Sequence, residues 1–234
     1  MRSLNRCRRV MSMGILSSPL PLRAAIACAC IAGLLPATAL AHPHAWIDLH
    51  VKLLADDEQH VHALSQTWVF DPVYTMILIE EVDEEQSDDD RAERLQRMGQ
   101  RMIGNMAEYD YLTRIAHGDD RLRAEGVRDI DVQVNASEQL EFRFTLDLPR
   151  NVDLRQQPLH YMIYDPVYYI EMLHPSSSAV SLNGNSERCT VNITAPDPDP
   201  SQIARAAAVD LGAADPDGLG RHFAEQVTIR CQDQ

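Results

Sequence analysis

Basic residues are scarce in this chain: 21 Lys and Arg stand against 35 Asp and Glu, a formal net charge of −14. Such a field repels nucleic acid and anionic membrane surfaces and favours cations and cationic protein surfaces. Catalytic signatures are missing as well. There is no G-x-S-x-G elbow, no phosphate-binding glycine loop and no H-E-x-x-H pair, so the usual hydrolase, nucleotide and zinc-protease chemistries have no foothold, and a non-enzymatic protein is expected. After the N-terminal region no apolar stretch approaches the roughly 20 residues that span a bilayer.

Acids are also absent before Asp48, and that absence outlines a leader. Arg2, Arg6, Arg8, Arg9 and Arg23 precede or flank an apolar run from Ala24 to Leu35, and Ala39-Leu40-Ala41 forms a small-residue A-x-A site. Residues 1–41 therefore read as a signal peptide, and 42–234 as one periplasmic domain without a membrane anchor. Arg8-Arg9 lacks a good twin-arginine continuation, and Cys28 and Cys30 lack the upstream leucine of a lipid-attachment site. With the leader go five arginines and no acids, so 16 basic residues remain against 35 acidic ones, a mature net charge of about −19. Cys7, Cys28 and Cys30 leave too. The remaining pair, Cys189 and Cys231, reads as a disulfide in an oxidising compartment, a thiolate metal site being the alternative.

Periodicity gives the fold class. Ala45, Ile47, Leu49, Val51 and Leu53 alternate with His44, Trp46, Asp48 and His50, which predicts a strand with its histidines on the non-core face. His60 to Phe70 is a second strand, joined by a turn at Asp56-Asp57-Glu58 into a hairpin. Asp71-Pro72 starts a helix, Asp as N-cap and Pro at the first position, and a second helix runs from about Asp89 to Met106. This helical insertion covers about residues 72–108. Further strands are expected at Tyr111–His117, Val127–Asn135, Gln139–Leu148, Leu159–Tyr164, Tyr168–His174, Val180–Asn183 and Arg188–Thr194. A proline-rich linker, Ala195–Pro200, a short helix, Ser201–Leu211, and a last strand, Phe223–Cys231, follow. Strands in runs rather than strict β-α alternation predict an α+β fold with mainly antiparallel sheet, sandwich-like packing being one arrangement open to it.

The chemistry concentrates at His42-Pro43-His44. Cleavage after Ala41 would make His42 the first residue, so its α-amine and ring can chelate one ion, with His44 adding a third nitrogen. The square-planar chelate common to a free amine followed by a third-position histidine needs two deprotonated amides, and Pro43 has no amide hydrogen. That leaves the amine, His42 and His44, with remaining positions for His50, a carboxylate or water. Such a donor set suits zinc, nickel or copper(II). Asp48 lies about 13 Å from His44 along a strand, too far for the same ion. The alternative is a solvent-facing His-Pro-His tail that holds no specific metal.

One segment echoes another: WVFDPVY at Trp68–Tyr74 and MIYDPVY at Met162–Tyr168. Asp followed by Pro is ordinary turn chemistry, so two capped strand ends are expected. The functional alternative is that Asp71 and Asp165 converge as metal-ligating carboxylates.

HPHAWID, WVFDPVY, NMAEYDYLT, FRFTLDLP, IYDPVYYIEM and FAEQVTIRC, taken in order across nearly the whole mature chain, resemble the bacterial periplasmic family known as domain of unknown function one-thousand-and-seven. Its members are described as periplasmic components of transport systems associated with nickel/cobalt-type metal permeases. The resemblance implies metal handling beside an inner-membrane metal transporter. Where relatives look to carry a calcium loop of D-x-D-x-D-G type, this chain has VDEEQSDDDRAER. Counting from Asp83, Asp88 takes the turn-glycine position and Arg94 the bidentate-acid position, which argues against an EF-hand. The nine acids from Glu80 to Glu93 read as a solvated face.

The other histidines lack paired spacing. His60 and His62 share a strand face and, across the hairpin, approach His50 at best; His117, His160, His174 and His222 stand alone. Met98, Met102 and Met106 fit a helix stripe and read as core, copper(I) thioether binding being the alternative. The expectation is thus a periplasmic divalent-metal-binding accessory protein for an inner-membrane transporter. Two competing readings are a binding module for a non-metal solute or for the transporter, using Tyr74, Tyr164, Tyr168 and Tyr169, and a copper oxidase built on the N-terminal histidine.

Overall fold

The computed structural model describes residues 43–58, 60–183, 187–208 and 218–232. The expected leader, residues 1–41, and His42 with its expected terminal amine lie outside them, as does the end of the expected 201–211 helix. The alternation read in the sequence becomes β1 (Ala45–Ala55), which pairs antiparallel with β2 (His60–Phe70). Ile47, Leu49, Val51 and Leu53 are at most 2% exposed, and burying each such side chain contributes about 1.5–3 kcal/mol. Trp46, Asp48, His50 and Lys52 face solvent.

Two helices follow, α1 (Pro72–Glu84) and α2 (Arg91–Met106). Asp90 caps α2 in a reciprocal box with Glu93, satisfying N–H groups that a helix start leaves unpaired. The helix lies so close to the sheet that a Cβ on Gly99 would come within 2.6 Å of Val132 Cγ2. The remaining elements are β3 (Thr113–His117), β4 (Asp120–Leu122), β5 (Gly126–Val134), β6 (Leu140–Asp153), β7 (Leu159–Ile163), β8 (Ile170–Leu173), β9 (Val180–Leu182), β10 (Cys189–Thr194), α3 (Pro200–Ala206) and β11 (Gln226–Cys231).

The fold is α+β with two mostly antiparallel sheets. The first runs β5-β6-β2-β1-β8, with β9 also on β1, and the second β10-β11-β7-β3-β4. One hydrophobic cluster joins them, and buried Gln66 of β2 donates across to Thr113 of β3 at 3.0 Å. Helices α1 and α2 cover another part of the same core face, enclosing a pocket of about 280 Å³ under Ile47, Trp68, Phe70, Met98, Met102 and Met106. The methionine stripe thus faces the core.

Cys189 and Cys231 pair across β10 and β11 as a disulfide. Closing a loop of 42 residues is worth about 4 kcal/mol in the chain-entropy account.

Several expected boundaries move, β6 running on to Asp153 past its expected end at Leu148, and three others move for a local reason. Asp110, Tyr111 and Leu112 adopt φ of 53–55°, outside the extended region, so β3 starts at Thr113 and not at Tyr111. Tyr168, at φ 59°, belongs to a turn, which delays β8 to Ile170. Leu219–Phe223 coils into a 3₁₀ turn, and β11 begins at Gln226. The edge of β1 also departs from the antiparallel rule, since β8 and β9 both pair with it in parallel.

Candidate metal-binding corner around His44

His44 is exposed, one residue ahead of β1. Its amide donates to the Tyr169 carbonyl at 2.9 Å, and its ring stacks on the Tyr169 ring at a centroid distance of 4.9 Å. Ala45 then pairs with Ile170 in the parallel ladder. On the other side, the Trp46 amide donates to Asp71 Oδ2 at 3.0 Å, and the Asp71 amide donates back to the Trp46 carbonyl at 2.9 Å. The start of β1 is therefore clamped between the two Asp-Pro-Val-Tyr corners.

Each aspartate organises its own corner. Asp71 caps α1, its Oδ1 accepting from the Val73 and Tyr74 amides at 2.8 and 2.9 Å. Asp165 closes the turn from β7 to β8, its Oδ1 accepting from Val167 at 3.1 Å and its Oδ2 from Tyr169 and Ile170 at 2.8 and 3.2 Å. The two corners are alike in chemistry and different in outcome, a helix start in one and a crossing between sheets in the other. Capping is what the bonds show for both residues. Each carboxylate accepts three such bonds, which leaves about one of the four acceptor sites of an ionised Asp.

The corners also meet electrostatically. The Tyr74 hydroxyl is pushed above its ordinary pKa, chiefly by burial and then by Tyr169, Glu81, Asp165 and Asp71. Acids from both corners thus bear on one phenol, that of Tyr74.

His50 does not join this corner. It sits six residues further along a continuous strand, about 20 Å from His44 at the usual rise, and the register sets Thr67 opposite it. His60 and His62 lie toward the turn end of β2 and do not approach His50, which faces Thr67. His60 instead meets Asp56 and Glu58, with ligand-type atoms all within 4.8 Å, and Asp153 Oδ2 at 3.7 Å. Asp56 Oδ1 accepts from the Glu58 and His60 amides, so this cluster is the hairpin turn closing on itself.

The remaining histidines have partners. His117 Nε2 lies 3.1 Å from the Asp153 carbonyl, His160 Nδ1 3.0 Å from Thr228 Oγ1, and His222 Nδ1 2.9 Å from Gln202. His174 is enclosed between Glu225, 2.7 Å from Nδ1, and the Tyr161 hydroxyl, 3.0 Å from Nε2. Burial pushes the Tyr161 hydroxyl far above its ordinary pKa. Nothing in the local sequence marks this buried chain, because its three members come from β7, the end of β8 and the approach to β11.

Five of the nine acids in the acidic segment, Asp83, Glu85, Asp89, Asp90 and Glu93, have structural partners. Asp90 is a cap, Asp83 meets Arg91 and Arg94, and Asp89 and Glu85 meet Arg97. That arrangement fits a solvated, ion-paired face.

Residues 27–231 match the family described as "Protein of unknown function (DUF1007)". The chain belongs to this family. It is also similar to an uncharacterised protein of Haemophilus influenzae (strain ATCC 51907 / DSM 11121 / KW20 / Rd), 26% identical over 195 residues that cover 82% of this chain and 92% of that protein. Among the described residues of this DUF1007 protein, no helix is long and apolar enough to cross a membrane.

Proposed function

We propose that this DUF1007 protein is a periplasmic divalent-metal-binding accessory protein, which captures zinc, nickel or copper and exchanges it with an inner-membrane metal transporter. The ion is held by the α-amine exposed on cleavage after Ala41, by the His42 ring and by His44. One observation carries the reading: both Asp-Pro-Val-Tyr corners converge on the backbone either side of an exposed His44. Residues far apart in sequence thereby fix one nitrogen ligand in an acidic environment. Fixing a ligand in advance lowers the ordering cost of binding, and the surrounding acids raise the local cation concentration. Asp71 and Asp165 serve first as the clamp and add negative charge. His50 lies outside this site.

The exchange role is supported by the adjoining surface. Trp46 is 49% exposed, and Val73, Met76 and Ile77 on α1 are 64, 62 and 49% exposed. Asp71 links the two elements that carry them. A pure docking module for the transporter is the second reading that this apolar surface favours.

Metal analysis of protein purified from the periplasm, with its N-terminus defined by intact mass, tests the proposal. One tightly held transition-metal ion on chains beginning at His42 is expected. Metal-free protein that also fails to take up zinc, nickel or copper(II) on titration would leave only the docking reading.

A further inference from the structure

We propose that the outer face of the second sheet carries a binding site for a small oxyanion, a phosphate or carboxylate group, between Arg114, His160 and Arg221. In this acidic chain the arginines are regularly matched to acids: Arg91, Arg97, Arg128, Arg143 and Arg150 each lie against an Asp or Glu. Arg114 and Arg221, like Arg188 and Arg230, depart from that pattern, and they are the two that share a pocket. Neither has a carboxylate within 4 Å among the described residues, yet both line one concave pocket of about 260 Å³, together with Arg121, His160 and Gln226. Arg121 is held by Asp110, so the uncompensated charge comes from the other two arginines.

Arg114 and His160 are held in place before any ligand arrives. The Arg114 Nε donates to the Tyr164 hydroxyl, and its guanidinium lies 5.7 Å from the centroid of that ring. This fixes the plane of the guanidinium and leaves its two terminal nitrogens for an acceptor. His160 neighbours Ala116 on β3 and Thr228 on β11 in the ladder, and its Nδ1 is occupied by Thr228 Oγ1, which leaves Nε2 for the pocket. Arg221 follows Gly220, where a Cβ would come within 1.8 Å of the Asp165 carbonyl oxygen. Only glycine lets that loop press so closely on the second Asp-Pro corner, and the contact sets where Arg221 begins.

Planar guanidinium groups match the two-oxygen geometry of carboxylate and phosphate and bind them with charge-assisted hydrogen bonds. The net charge of −14 selects among carriers of that chemistry. An anionic lipid surface is repelled by the whole molecule, whereas a small solute enters a concave site where the local positive field is focused. The occupant is therefore a free solute and not a headgroup in a membrane.

Calorimetric titration of metal-free protein with inorganic phosphate and with citrate tests this, beside sedimentation with phosphatidylglycerol vesicles. At least one free anion is expected to bind at millimolar or lower concentration. Arg114→Gln and Arg221→Gln should each weaken it roughly tenfold, and Arg150→Gln should leave it unchanged. Circular dichroism of each variant separates lost binding from lost folding, and exposed Arg221 provides the variant least able to disturb the core. Absence of binding up to about 10 mM, retention of wild-type affinity in folded Arg221→Gln, or binding to vesicles alone would each overturn the proposal.

Discussion

Asp71 and Trp46 are tied together twice, the amide of each donating to an oxygen of the other at 2.9 and 3.0 Å. The same carboxylate caps α1, so one side chain joins the helix to the strand that begins just beyond His44. Replacing Asp71 with Ala should cost about 2 kcal/mol, through loss of the cap and of the partner for the Trp46 amide. Asp71→Asn keeps an efficient cap and removes the charge. It should retain most of the stability while weakening metal binding by roughly fivefold, the effect of about 1 kcal/mol of Coulomb energy. Denaturant melts and metal titrations on both variants separate the clamp from the field; unchanged affinity in Asp71→Asn would remove the charge contribution.

Asp153 gives the fold an acid dependence. Arg155 foremost, through paired hydrogen bonds, holds its carboxyl at about 2, below the ordinary 3.8. A carboxylate with a depressed folded pKa stabilises the fold above the unfolded value, and that contribution fades as pH falls from about 4 toward 2. Part of the effect is screened by solvent, so about 1 kcal/mol is expected. In Asp153→Asn this component of acid unfolding should disappear, which urea midpoints measured at pH 6, 4 and 3 will reveal. A variant whose midpoint falls with pH as steeply as the parent's would show that the ionisation lies elsewhere.

The Cys189–Cys231 link joins the two strands at one edge of the second sheet. Denatured but unreduced protein should take up no alkylating reagent at these positions. The Cys189→Ser/Cys231→Ser double variant should lose about 4 kcal/mol, measurable as a shift in denaturant midpoint.

Replacing Asp88, Asp89 and Asp90 with Ala should leave the tightly bound metal in place, because Asp89 and Asp90 already serve Arg97 and the α2 cap. Stability should fall by about 1 kcal/mol with the cap. Loss of one tightly bound ion in that triple variant would move the metal site away from His44.

What was legible in the sequence was local. Strict alternation exposed β1, Asp71-Pro72 marked the start of α1, and the two cysteines beyond residue 41 pointed to the bond that forms. The Asp-Pro echo was visible too, although its meaning was not: the pattern specifies a capped corner, while the meeting of both corners at His44 depends on the parallel pairing of β1 with β8. Parallel edges carry no hairpin signature, because the partners are distant in the chain. The left-handed run at Asp110–Leu112 was hidden for another reason, since none of those residues is glycine. The arginine pocket and the Glu225–His174–Tyr161 chain escaped because each gathers single residues from several strands.

The central claim is that metal is held by a processed terminus, and one calorimetric series tests it most directly. Three proteins are titrated with zinc, nickel and copper(II): the chain beginning at His42, the same chain with one Ala added before His42, and His44→Ala. The added residue keeps both imidazoles and moves the amine out of its chelate ring with His42. Binding to the processed chain should strengthen from pH 6 to 8, as an amine with an ordinary pKa of about 7.7–8.0 gives up its proton. The extended chain and His44→Ala should each bind substantially more weakly, with the fold intact by circular dichroism. An extended chain that binds as tightly as the processed one would contradict the terminal-amine site and shift attention to internal histidines and carboxylates.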